Sequence, residues 1–202
     1  LVFDELLTGF RVPEGSCQKW FGVTPDLSIF GKAIANGHIA AAVAGKYEVM
    51  ETVASKGTAN FVGTFNGHVY SMAAALASLE LMEDGTAREG LEKKVQYLKE
   101  RFESTAKKYG IPAVLNGRGG HFHWYFTDDV ANYRDAASSN TANYLTFANA
   151  MLDQGMMVIP KPLSHHAISV SHDDARRIRI TATPEEHEAM DKALAKVAEQ
   201  NK

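Results

Sequence analysis

The chain has 202 residues, 45% of them hydrophobic, a formal net charge of −3 and a single cysteine. That length and composition can fill one large core or two small ones, and they exclude a disordered or low-complexity protein. The small net charge excludes a global basic field, so nucleic acid is not an expected partner, and no apolar run approaches the roughly 20 residues of a membrane span.

Leu1-Val2-Phe3 predicts a short buried strand closed by Asp4 and Glu5, the pattern of a parallel strand delivering an acid to the carboxyl edge of a sheet. A buried strand is a poor natural terminus because its neighbours must come from elsewhere, so an upstream half is expected. Cys17 cannot form an internal disulfide, which fits a reducing compartment, and the first residues lack a basic region ahead of a hydrophobic segment. A cytoplasmic protein is expected.

"GVTPDLSIFGKA" carries a turn signal at Pro25-Asp26, then a short apolar strand ending at Gly31-Lys32. "IAAAVAGKYEVMETVA" predicts a small-residue strand, a turn at Gly45 and a helix start. Beyond "FVGTFNGHV" the Ala- and Met-rich run 69–81 predicts a helix, with Gly85 close behind it. A second helix is expected over 86–109, where Leu91, Val95, Leu98 and Phe102 fall at helical spacing and charges take the other face. Gly110 and Pro112 end it. This long amphipathic helix is the candidate boundary between two domains.

"PAVLNGRGGHFHWYF" reads as two strands around a glycine turn, and "NTANYLTFANAMLDQG" as a capped helix ending at Gly155. "MVIP" and "HAISVSH" read as short strands. "TPEEHEAMDKALAKVAEQ" predicts a last helix with Thr183 as N-cap and Pro184 at its first position. No internal repeat is visible.

Lys32 is the anomaly: it stands in an apolar and small-residue run with no charged neighbour within five residues on either side. Taken alone, a GK dipeptide is a helix-start lysine after a strand. Asp4 lies 28 residues before it, and Thr64, after Gly63 and ahead of the small-residue helix, lies 32 residues beyond it. Pyridoxal phosphate chemistry needs these types of group. An amine holds the cofactor covalently and moves a proton at the substrate α-carbon, and a carboxylate keeps the pyridine nitrogen protonated. Hydroxyls and backbone N–H groups hold the phosphate.

"LVFDELLTGFR", "GVTPDLSIFGKAIANG" and "GTFNGHVYSMAAALASL" resemble the corresponding stretches of class III pyridoxal-phosphate aminotransferases, most closely the glutamate-1-semialdehyde 2,1-aminomutase branch. "FTDDVANYRDAASSNT", "AMLDQGMMVIP" and "ISVSH" extend the resemblance over nearly the whole chain. It implies an α/β fold: residues 1–105 as the C-terminal part of a fold-type I large domain with its connecting helix, and 106–202 as a smaller α+β domain. It also implies pyridoxal 5'-phosphate as cofactor, bound covalently by Lys32, with Asp4 at the pyridinium nitrogen and Leu6 behind the ring. Thr64 is implied to reach the phosphate of the neighbouring subunit in a homodimer with shared active sites. The expected reaction is transfer of an amino group from a small-molecule donor to a carbonyl acceptor. Alternatives are an aminomutase or racemase on the same scaffold, or a non-catalytic subunit or interaction module retaining the fold.

Other residues carry weaker readings. Asp4 could merely cap a turn and Thr64 merely N-cap a helix. Glu5 is read as organising the loop, Arg11 as a loop salt-bridge partner with substrate contact as the alternative, and Cys17 as no nucleophile for want of a local base. His121 and His123, with His165, His166 and His172, could supply metal ligands, but no carboxylate or cysteine completes a familiar spacing, so half-buried imidazoles are expected and no metal. The resemblance makes His165 and His166 candidates for substrate contact. The sequence departs from the aminomutase branch at Ser164, where that branch carries an acid, at Ile39 in place of a proline, and at Ala41 in place of a glycine. The resemblance also implies that the phosphate loop, the aromatic residue stacked on the cofactor and the residues recognising the substrate carboxylate lie upstream of Leu1.

Overall fold

The computed structural model describes residues 1–53, 57–172 and 184–201, which divide into two compact units, Leu1–Glu89 and Gly90–Lys202. Thr183, the expected cap of the last helix, lies outside the described residues.

The first unit is built on a three-stranded sheet of β1 (Val2–Asp4), β2 (Leu27–Phe30) and β3 (Ala42–Gly45) in that order. β1 and β2 run parallel with Asp4 opposite Ile29, and β3 returns antiparallel to β2 with Ala42 opposite Phe30. Parallel neighbours need a long crossover, and here it is the loop from Glu5 through α1 (Cys17–Phe21). Ser16 caps α1 by accepting from the Lys19 N–H, and Gly22 ends it at a left-handed φ of 64°. A 3-10 turn, Lys32–Ile34, follows β2, and α2 (Tyr47–Met50) follows β3. Then comes α3 (Val69–Met82), whose few buried residues are Ser71 and Ala75. It packs against the Lys32–Ile34 turn while Val69, Tyr70, Leu76 and Leu81 stay exposed.

The second unit gathers the core of the chain. The apolar stripe of α4 (Thr86–Lys108) buries Leu91, Val95, Leu98, Phe102 and Ala106, as its spacing predicts. The stripe packs on β4 (Val114–Arg118) and β5 (His121–Tyr125), and on α6 (Thr141–Asp153) and α7 (Pro184–Gln200). Phe102 stands at its centre, edge-on to Phe126 and Phe147 with ring centroids 5.9 and 5.5 Å away. β4 and β5 form a hairpin through Gly119-Gly120, whose φ values of 60° and 86° meet the demand of a two-residue turn for positive φ at both positions. α5 (Tyr133–Ser138) opens with a capping box between Asn132 and Asp135, and Asn140 caps α6. β6 is the short pair His166–Ala167, antiparallel to β5. The expected strand at Met157–Pro160 forms no strand pairing among the described residues, although Met156 and Val158 are buried while Met157 is exposed. Among the described residues no helix is long and apolar enough to cross a membrane.

Register also explains a buried polar cluster in this unit. β6 places His166 opposite Phe122, next along β5 to His123, and the two imidazoles lie nearly parallel, 8° apart in plane with centroids 5.6 Å apart. Tyr144 on α6 donates its hydroxyl to the Ile159 carbonyl, 2.6 Å, and meets His166 Nε2 at 3.1 Å. A tyrosine has one proton to give, so His166 Nε2 carries the hydrogen of that contact. Burial holds both imidazoles down to about 4, helped at His123 by His166 and at His166 by His165. An unfolded chain takes up these protons near pH 6.5, so between about 6.5 and 4 the unfolded state binds more protons and stability falls as the pH falls. The limiting slope is about 1.4 kcal/mol per pH unit for each group. Urea denaturation across that window will show this loss, and His123→Phe will remove one group's share of the slope.

Candidate active site

The site begins with the parallel register. Asp4 ends β1 beside Ile29, three residues ahead of Lys32, so both residues arrive at the carboxyl edge of adjacent parallel strands, where α/β folds bind ligands. Both are exposed. Lys32 opens the 3-10 turn with φ 47°, a left-handed conformation that costs a non-glycine residue about 1–2 kcal/mol. Its ammonium has no hydrogen-bond or ion-pair partner among the described residues. The neighbouring Ala33 and Ala35 are buried and anchor the turn.

Leu6 completes the edge. A Cβ added to Gly31 would lie 2.6 Å from Leu6 Cδ2, so the glycine lets Leu6 pack directly against the backbone that carries Lys32. The Leu6 N–H donates to Asp4 Oδ1 at 3.0 Å, which ties the acid to the loop following its own strand. Asp4, Leu6 and Lys32 are therefore brought together by β1, β2 and the Gly31 contact.

Thr64 is placed differently. It lies in the exposed turn 64–67, and no hydrogen bond or ion pair among the described residues joins it to Asp4 or Lys32. The N-cap position of α3 belongs to His68, so Thr64 does not cap that helix either. His68 instead pairs through Nδ1 with the buried Ser71 hydroxyl, 2.9 Å.

Glu5, read from the sequence as a loop organiser, is fully buried. Its Oε2 accepts from the Thr8 hydroxyl at 2.5 Å and its Oε1 from the Gln18 N–H at 3.1 Å. Arg11 departs from its expected salt bridge. Its Nη1 donates to the Leu7 carbonyl, 2.8 Å, it pairs with no acid among the described residues, and burial lowers its pKa. Burial likewise pushes the Cys17 thiol up, and Glu5 adds to that rise.

The histidines form ring contacts. His121 meets His165 edge-on at 5.3 Å, and among the described residues no group of three or more His, Cys, Asp or Glu side chains assembles that could hold a metal ion. His166 is turned inward onto Tyr144, whereas His165 is exposed and Ser164 donates to the Lys161 carbonyl, 2.6 Å.

The fold is that of a transaminase solved with PLP bound, with a TM-score of 0.79 at 24% identity over 99% of this chain and 45% of that one. A glutamate-1-semialdehyde 2,1-aminomutase of Desulfitobacterium hafniense (strain DSM 10664 / DCB-2) is 39% identical over 176 residues, 87% of this chain and 41% of that protein. The enzyme of the same name from Fusobacterium nucleatum subsp. nucleatum is 37% identical over 175 residues, 85% of this chain and 40% of that protein. The chain thus spans about two fifths of the length of these curated relatives. With the family profile described as aminotransferase class-III matching residues 1–170, the α/β chain with Asp4 and Lys32 at one sheet edge belongs to the class III aminotransferases.

Proposed function

We propose that the protein containing this chain is a pyridoxal-phosphate-dependent transaminase, moving an amino group from a small-molecule amino donor to a carbonyl acceptor. The observation that carries the reading is the β1–β2 register, which sets an uncommitted amine, a carboxyl group and an aliphatic side chain at one sheet edge. That donor set fits the cofactor. Lys32 Nζ would hold it covalently and, once released, move the proton at the substrate α-carbon. Asp4 would keep the pyridine nitrogen protonated, and Leu6 would pack against the ring face. When bound, pyridoxal phosphate supplies the electron sink for the charge left at that carbon.

Thr64 would serve the phosphate held by a second subunit. Its exposure, and the apolar residues that α3 leaves uncovered, support a homodimer sharing its active sites. We place the domain division after residue 105 and the protein in the cytoplasm, with further segments of the same protein completing the cofactor and substrate sites. A second reading, an aminomutase that returns the amino group to its own substrate, is favoured by the names of the curated relatives.

The test is borohydride reduction of the purified full-length protein, followed by mass mapping. A cofactor adduct on Lys32 is expected, and a protein that takes up no cofactor would leave the non-catalytic module. Amino donors assayed with and without an added keto acid then separate the two enzymes. A transaminase needs the second substrate and an aminomutase does not.

A further inference from the structure

We propose that Glu5 is a positioning residue for the cofactor edge, acting through the loop that carries Asp4 and Leu6 and not by touching a ligand. The inference rests on the transaminase reading for its function, but its geometry stands without it.

Side chains alternate along a strand, so the acid pair closing β1 divides its work. Asp4 stays exposed at the sheet edge, while Glu5 points inward and is completely buried. A buried carboxyl group is costly unless its oxygens are satisfied, and each Glu5 oxygen has a partner. Thr8, three residues on, bonds to Oε2, and the Gln18 backbone in the first turn of α1, thirteen residues on, bonds to Oε1. The Glu5 main chain is tied as well. Its N–H donates to the Ile29 carbonyl of β2 at 2.9 Å, and its carbonyl accepts from the Gly9 N–H at 2.9 Å.

Four bonds on one residue therefore join the end of β1, the end of β2, the turn at Thr8–Gly9 and the start of α1. Asp4 and Leu6 are the residues on either side of that junction, and they are bonded to each other across it. Close packing reinforces the arrangement. A Cβ on Gly9 would lie 2.7 Å from Phe30 Cδ1, and the Phe10 and Phe30 rings lie 5.4 Å apart, so the loop is seated on the last residue of β2. If Glu5 loosens, Asp4 loses its fixed direction and Leu6 its seat on Gly31.

Glu5→Leu is of similar size but removes both acceptors and leaves the Thr8 hydroxyl and the Gln18 N–H without their partner, whereas Thr8→Val removes the hydroxyl and Thr8→Ser keeps it. The experiment uses the full-length protein and reads two quantities: amide hydrogen exchange at Leu6, and affinity for pyridoxal phosphate. Glu5→Leu and Thr8→Val are expected to speed exchange at Leu6 and to weaken cofactor binding, each by about tenfold, as for a buried polar group left without its partner. Thr8→Ser is expected to restore both, and exchange in the Val114–Tyr125 hairpin should not change. If Glu5→Leu does not fold, the two Thr8 variants carry the test. Unchanged Leu6 exchange, or Thr8→Ser behaving like Thr8→Val, would overturn the proposal. A wild-type protein that takes up no cofactor, with Leu6 exchange still responding, would sink the transaminase reading and leave the positioning of Asp4 by Glu5 standing.

Discussion

Lys32→Ala in the full-length protein will abolish the borohydride-fixed cofactor adduct and lower turnover by about 10³-fold or more, because in the proposed reaction one group would supply both covalent attachment and proton transfer. The fold should survive. The Lys32 side chain is exposed and its ammonium holds no described partner, so alanine removes no packing and leaves no buried group unpaired. A surface change of this kind moves stability by about 0.5 kcal/mol or less, visible as an unchanged denaturation midpoint. Alanine must still adopt the left-handed backbone of Lys32, as the lysine already does, so that strain is common to both. Lys32→Arg separates charge from nucleophilicity, since arginine keeps the cation but cannot be deprotonated to attack a carbonyl. Both variants should fail alike. An adduct recovered on another lysine, or turnover retained in either variant, would remove Lys32 from the reaction.

Strand ends and helix periods were legible in the sequence because they depend on local pattern. The apolar stripe of α4 and its stop at Gly110 lie in the spacing of Leu91, Val95, Leu98 and Phe102. The hairpin lies in Gly119-Gly120, since two adjacent glycines between apolar alternations allow the required turn. Asp4 and Lys32 were legible as strand-end residues, but their adjacency was not. It depends on β1 and β2 being neighbours in parallel, which neither strand's composition reveals.

The same limit hid the burial and the second partner of Glu5, although its place in the loop was read. Its second donor is a main-chain N–H thirteen residues away, and a backbone group leaves no mark in a sequence pattern. The His123–His166 stack was hidden by distance along the chain, its members meeting only through the β5–β6 register. Met157–Pro160 shows the converse. The alternation that suggests a strand is present as buried Met156 and Val158 around exposed Met157, yet no described residue supplies the partner that would make it one. Alternation reports a face against a core, and pairing is a separate requirement.

Asp4→Asn tests the remaining member of the edge, and its outcome should differ in kind from that at Lys32. Asparagine is nearly isosteric and can still accept the Leu6 N–H through its carbonyl oxygen, so the loop should stay in place. The negative charge is what the substitution removes. In the proposed reaction, nothing at this position would then favour a proton on the pyridine nitrogen of the bound cofactor, and its electron sink would be weaker. Loss of one such fixed electrostatic contact costs about 10²–10³-fold in turnover. The proposed bond to Lys32 would not require that proton, so the adduct recovered after reduction should match the wild type in mass and in position. Asp4→Ala should bind cofactor less well than Asp4→Asn, because it also frees the Leu6 N–H and loosens the seat on Gly31. Full turnover in Asp4→Asn would confine Asp4 to holding the loop. A normal adduct with depressed turnover would place its charge in the chemistry, since a loop defect alone would weaken attachment along with rate.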